Sequence, residues 1–238
     1  MPAPSALRLG MRARLSVIGI SASLGLLLIL LAVPRIYAEF LLLPGNPLIN
    51  TIANEDDSED SDIAGPEIEA LLASRERALA WTQSGHVRRE LAAAAILLAQ
   101  REVGGGTRYH ALMSRARDAL KESLAHAPAD PYAWTRLAYA RLADDETADR
   151  IVPILAMAIR TAPVEASLIF PRLELCLIEW PYFAKAHPDL VAEQVKLAWR
   201  QSHWWLVRLA IATARRDEVR ALLDPVDQSE FDRVAADL

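Results

Sequence analysis

Beyond Gly106 this chain of 238 residues contains no glycine, and its asparagines, Asn46, Asn50 and Asn54, all lie before residue 55. Without those residues most of the chain has no low-strain supply of positive-φ positions, which excludes tight two-residue hairpins and glycine-rich phosphate loops there. The single cysteine, Cys176, excludes an internal disulfide. It lies in the apolar run from Leu173 to Ile178, where a free cysteine acts as a small buried hydrophobe rather than a reactive thiol. The five histidines, His86, His110, His126, His187 and His203, never pair at i, i+4, so no metal-ligand cluster forms along a helix. There is no Gly-x-Ser-x-Gly elbow and no dinucleotide fingerprint. Glu174 and Glu179 do not share a helix face well, so a paired-carboxylate glycosidase has no support. These absences predict a chain that is not an enzyme, with no catalytic residues, no cofactor and no metal. Lys and Arg number 26 against 31 Asp and Glu, a net charge of -5, so no basic surplus exists to neutralise nucleic-acid phosphates. Arg88-Arg89 and Arg215-Arg216 read as solvated helix faces.

What is present is strongly segregated. Residues 15 to 33 carry no charge, about the length of one bilayer crossing by a helix. Arg8, Arg12 and Arg14 precede this run with no acid among them, whereas Glu55, Asp56, Asp57, Glu59, Asp60 and Asp62 follow it. That asymmetry predicts a basic cytoplasmic N-terminus over 1–14, a transmembrane helix over 15–33, and the bulk of the chain outside the cytoplasm. A secretory signal peptide cleaved after Ala38 is the competing reading. Against it, the apolar run exceeds the usual signal core, and bulky Phe40 to Leu43 follow at once. Residues 34–65 hold Pro44, Gly45, Pro47, Gly65 and the six acids, a composition that predicts a flexible, self-repelling linker rather than a calcium loop.

From residue 66 onward the chain reads as helix after helix, with no sustained period-2 alternation, and the fold class is all-α. Ile68, Leu71, Leu72, Leu79 and Trp81 recur at near-helical spacing. Leu91 to Leu98 begins a second helix, which Gly104-Gly105-Gly106 ends. A third runs from about Tyr109 to His126. Asp130 is placed to cap the next helix, and Pro131 occupies its first turn, where a missing donor costs nothing. That helix ends near Asp144, another begins by Thr147, and Pro163 closes it. Beyond it Pro171, Pro181, Pro188 and Pro225 punctuate further short helices, and the polar tail after Asp224 caps the array.

The interval from Pro128 to Pro163 is one residue longer than a tetratricopeptide unit of about 34 residues. Trp134, Leu137 and Ala138 match that repeat's first-helix positions, and Ala158 and Pro163 its later alanine and terminal proline. Ala116, Leu120 and Pro128 fit the second-helix pattern of the preceding unit, whose first helix the triple glycine breaks, and Arg141 stands where an aromatic is usual. On these residues the chain resembles the tetratricopeptide repeat family. The resemblance implies that the predicted transmembrane helix is followed, over 66–238, by an α-solenoid of antiparallel helix pairs whose first helices line a protein-binding face.

Tyr132, Thr135, Tyr139 and Leu142 fall on one stripe of such a first helix, offset from the Trp134–Leu137–Ala138 packing stripe. Tyrosines there offer amphipathic contact area, and Arg136 or Arg141 can pair with a partner's acids. The alternative is that the tyrosines pack against a neighbouring helix. Trp180, Trp199 and Trp204, among six tryptophans, pose the same choice between core and contact with carbohydrate or a partner. The layout of basic N-terminus, anchor, acidic linker and helical repeat, with the segments near Trp134 and Trp180, also resembles the VpsP-type membrane-anchored accessory proteins of bacterial exopolysaccharide synthesis. That resemblance implies a single-pass protein of the bacterial inner membrane whose periplasmic domain organises partner proteins of a synthesis and export complex. A carbohydrate-binding or polysaccharide-modifying protein, and an assembly factor for another envelope complex, are the alternatives.

Overall fold

The computed structural model describes residues 11–45, 64–102 and 105–238, so most of the basic N-terminus and linker residues 46–63 lie outside the described residues. Among the described residues every regular element is helical. In chain order these are α1 (Met11–Leu42), α2 (Gly65–Leu79), α3 (Gly85–Gln100), α4 (Thr107–His126), α5 (Pro131–Leu142), α6 (Ala148–Thr161), α7 (Ala166–Ile178), α8 (Trp180–Ala186), α9 (Pro188–Gln201), α10 (His203–Ala212), α11 (Arg216–Ala221) and α12 (Pro225–Ala236).

The first helix is long and apolar enough to cross a membrane by length and composition, and Ile20, Leu24, Leu27 and Leu31 on it are exposed. It does not stop where the uncharged run stops. The expected linker from residue 34 begins instead as helix: α1 continues through Pro34 to Leu42, and a 3-10 turn covers Leu43–Gly45. Proline forfeits one i→i−4 bond, and tertiary packing restores the loss. Ala38 and Leu42, one turn apart, are buried against Ala78 of α2 and Val87 of α3.

The repeat region is built from helix pairs joined by short turns, which makes sequence neighbours antiparallel. α3 begins six residues before the apolar pattern announces it, because its first turn, His86 to Arg89, is polar apart from Val87. Ser84 Oγ caps it by accepting from Val87 N at 3.4 Å. Gly85 is required there by close approach: a Cβ would lie 3.2 Å from the Ser123 carbonyl oxygen of α4. α3 ends at Gln100 and α4 begins at Thr107, with Gly105 and Gly106 between them, so the first helix of that unit is whole, correcting the expectation that the triple glycine breaks it. In α5, Asp130 Oδ1 accepts from Tyr132 N and Ala133 N at 3.0 and 3.2 Å, as the cap reading predicts.

Two apolar cores meet at α5. Leu137 and Ala133 face the core shared with α2, α3 and α4, around Leu91, Met113 and Leu120. Ala138 faces the core that runs on through Leu155, Ile159, Leu173 and Phe183 to Trp199, Leu206 and Phe231. The expected packing positions Ala116, Leu120, Leu137, Ala138 and Ala158 are all buried. Pro171 does not punctuate: it sits inside α7, as Pro153 sits inside α6, each far enough toward the N-terminus to forfeit only an early bond. The segment around Pro181 forms the short helix α8, and the polar tail after Asp224 forms α12, pinned by fully buried Phe231.

Glycine-free turns require other residues to take the left-handed region. Asp145 (φ 53°) and Ala214 (φ 55°) do so. Aspartate tolerates this conformation, but alanine sets its Cβ against the backbone. Ala214 follows α10, where Arg215 N reaches back to Ala210 O at 2.8 Å, a helix-ending geometry that favours glycine. Because Ala214 is exposed, Ala214→Gly is expected to stabilise the chain by about 0.5–1 kcal/mol, seen as a higher urea midpoint.

Candidate protein-binding wall

Helices α3, α5 and α7, the first helices of successive units, stand side by side, and polar side chains bridge them in a continuous row. Asp130 has a second role beyond capping: its Oδ2 accepts from Arg89 Nη1 of α3 at 2.7 Å. The other arm of Arg89 donates to His86 Nδ1 at 2.8 Å. With Nδ1 accepting, His86 carries its proton on Nε2, which lies 2.9 Å from Glu90 Oε1. The remaining oxygen of Glu90 accepts from Arg75 Nε at 2.9 Å. Burial pushes the Glu90 carboxyl up, but the His86 hydrogen bond and the Arg75 charge together outweigh it and hold it below the ordinary range.

Across the next joint, the Arg89 guanidinium lies 5.7 Å from the centre of the Tyr132 ring. Tyr132 Oη is 3.1 Å from both Glu165 Oε1 and Ser167 Oγ at the start of α7. Deeper in the same joint, fully buried Arg172 donates from Nε to Thr135 Oγ1 at 3.2 Å and from Nη1 to the Ala162 carbonyl at 2.7 Å. Its burial lowers the guanidinium pKa to about 10.

The predicted stripe therefore divides. Thr135 is buried, and its hydroxyl donates to the Pro131 carbonyl at 2.8 Å while receiving Arg172, so it joins helices and presents nothing outward. Leu142 packs on the C-terminal core, and Tyr139 touches both cores while accepting from Gln100 Nε2 at 2.9 Å. Buried Thr135 departs from the expectation of an open contact stripe, while Tyr139 and Leu142 are partly buried, as Tyr132 is: a first helix has a first helix on each side, and the joints draw in the residues nearest them. Arg141 is also consumed, by Glu146 at 3.3 Å.

Tyr132 and Arg136 remain partly exposed. Among the described residues the buried Nη2 of Arg172 and Nε of Arg141 lack hydrogen-bond partners, and Arg136 is a further incompletely paired cation of the row. Among the described residues no carboxylate is hydrogen-bonded to it, and its guanidinium pKa is lowered first by burial and then by the like charge of Arg89. Asp130 and Glu90 offset part of that effect without hydrogen-bonding to it, so the guanidinium is partly desolvated and can still accept an anionic group.

The tryptophans also separate. Trp199 is buried, stacked on His203 at 3.8 Å and tilted against Phe231 at 6.2 Å, so it packs in the core. Trp180 packs on the core from α8. Only Trp204 of the three is well exposed, with Arg208 5.1 Å from its ring centre. A cleft of about 720 Å³ between α6 and α8, lined by Ala148, Val152, Glu179, Tyr182 and Lys185, lies apart from the wall residues. Burial there raises the Glu179 carboxyl pKa. Cys176 is fully buried, and burial raises its thiol pKa, as expected for an unreactive core cysteine.

Arg89, Glu165 and Arg172 have no motif to announce them. The signal that could have found them is spacing: bridging partners are 33 to 41 residues apart, close to one repeat length.

No family model matches this chain, and no curated protein matches it. Among solved structures it is similar to a thermophilic TPR protein of Thermus thermophilus, with 18% identity and a TM-score of 0.50. The match covers 83% of this chain and 98% of that one. The fold is that of a tetratricopeptide-like helical repeat protein.

Proposed function

We propose that this protein is a membrane-anchored scaffold that holds a partner protein against the α3–α5–α7 wall through Tyr132 and Arg136. The observation that carries this reading is Arg136: a partly buried cation facing Arg89, with no carboxylate of its own among the described residues, on the wall that tetratricopeptide-like folds use for recognition. The anchor is α1, and what supports it over a cleaved leader is that Ala38 and Leu42 fill a pocket of the repeat domain. The basic N-terminal flank supports a cytoplasmic N-terminus with the domain on the far side of a bacterial inner membrane. The layout shared with exopolysaccharide accessory proteins supports a synthesis or export complex as the setting.

A photo-crosslinking amino acid at position 136 of the full chain in its native membrane is expected to trap a protein, whereas one at exposed Val226 traps none. Arg136→Ala is expected to weaken capture at least about tenfold, or about 1.4 kcal/mol. It should not lower the denaturation midpoint, since burial beside Arg89 already disfavours that charge. Equal trapping at 136 and 226, or unchanged capture by the variant, would remove the wall from the mechanism. Co-purifying glycan without a protein partner would move attention to Trp204.

A further inference from the structure

We infer that the turn between α2 and α3 is a second membrane contact, with Trp81 seated in the lipid headgroup layer beside Tyr37. The inference rests on reading α1 as the membrane span. The uncharged run of α1 ends at Val33, before Arg35. At a rise of about 1.5 Å per residue, Tyr37 stands about 6 Å beyond Val33 along the unbroken helix. The headgroup layer on each side of the hydrocarbon is about 5–8 Å deep, so Tyr37 falls within it.

Trp81 belongs to the repeat domain, in the turn that follows α2. Its ring centre is 4.9 Å from that of Tyr37, edge-on at 73°. The two ring centres therefore differ in depth by at most 4.9 Å. Both are about half exposed, at 50% for Trp81 and 46% for Tyr37, and Ile36 and Phe40 beside them are each 67% exposed. Exposed aromatic and aliphatic surface of this kind, continuous with a membrane span, matches the headgroup boundary, where tryptophan and tyrosine combine an apolar body with a polar edge. The indole N–H of Trp81 has no acceptor among the described residues, as suits a group that bonds to headgroups or interfacial water.

The depth is not free to vary. Ala38 and Leu42 are buried in the domain, and Arg75 Nη1 donates to the Leu42 carbonyl at 3.0 Å, so α1 and the Trp81 turn move as one piece. The contact gives the repeat array a second fixed point on the bilayer and sets the tilt at which it stands.

The test uses the full chain in phosphatidylcholine–phosphatidylglycerol vesicles, with a spin label at Gln83→Cys, Leu27→Cys or Val226→Cys. Cys176, fully buried, stays unlabelled in the folded protein. Collision rates with oxygen, which concentrates in lipid, and with a water-soluble nickel chelate report depth. Leu27 is expected to favour oxygen, Val226 the chelate, and Gln83 to fall between them. Adding Trp81→Ala should raise the chelate accessibility at Gln83 to the Val226 value. A Gln83 label as aqueous as Val226 while Leu27 is in lipid overturns the contact and leaves the anchor standing. An aqueous Leu27 label overturns both. A Gln83 label at headgroup depth that ignores Trp81→Ala overturns the assignment of the contact to Trp81.

Discussion

Arg75→Leu is expected to cost about 3–5 kcal/mol and to free the end of α1 from the repeat domain. Arg75 is fully buried in α2 and reaches three places at once: Glu90 on α3, the Leu42 carbonyl at the end of α1, and Ser74 Oγ at 3.1 Å. A leucine fills much of the space but leaves a buried carboxylate with only His86 beside it and a helix-terminal carbonyl with one donor fewer. The readouts are the denaturation midpoint and amide exchange over residues 38–45, both of which should move together. A loss below about 1 kcal/mol would show that water replaces the guanidinium and that the joint is wetter than its burial implies.

Acid should narrow that difference. In the folded wild type the Glu90 carboxyl titrates below its ordinary value, so its contribution is complete above the unfolded pKa of about 4.3. It is lost as pH falls through the folded value. Without Arg75 the burial of Glu90 is opposed chiefly by His86, and the carboxyl pKa rises from its wild-type position. The gap between wild type and Arg75→Leu is therefore widest near neutrality and shrinks below about pH 4.3. A gap that stays constant down to about pH 3 would mean the loss came from packing alone.

Phe183→Ala is expected to cost about 3–5 kcal/mol and to undock α8. This seven-residue helix is too short to persist in isolation. Phe183 is its one fully buried side chain, set in the C-terminal core with its ring 5.4 Å from that of His187. Tyr182, its neighbour in the same helix, is 61% exposed, and Tyr182→Ala should change stability by less than about 0.5 kcal/mol. Protease cleavage at Lys185 should rise sharply in the Phe183 variant and remain at the wild-type level in the Tyr182 variant. Similar cleavage in both would show that α8 is held by its flanking turns instead.

The parts legible in advance are those where a local rule and a tertiary demand coincide. Asp130 and Pro131 start α5 because capping and proline geometry act within one turn, and Pro163 closes the unit for the same reason. Trp134, Leu137 and Ala138 pack as expected because a helix facing two neighbours must repeat its apolar residues at that interval. The start of α3 is hidden by a mostly polar first turn, whose groups pair both along the helix, as His86 does with Glu90, and across to other helices, as Arg89 does with Asp130. Pro171 misleads because a proline near a helix start is tolerated once core packing outweighs one lost bond. The end of α1 is not readable from hydropathy, since Ala38 and Leu42 lie among residues that suit lipid equally well. At the wall, Tyr132 and Arg136 can be named from the sequence, while the fate of Thr135, Tyr139 and Leu142 depends on helices a full unit away.

The lone thiol of Cys176 has a practical consequence. It sits in the larger core among Leu173, Leu177 and Phe183, with no other cysteine in the sequence to compete for reagent. Modification therefore requires the core to open, and in the fast-reclosing regime its rate is the free-thiol rate scaled by the opening equilibrium. The native chain thus carries its own stability meter, readable in intact membranes without denaturant. Occupancy of the wall by a partner would register there as a slower clock.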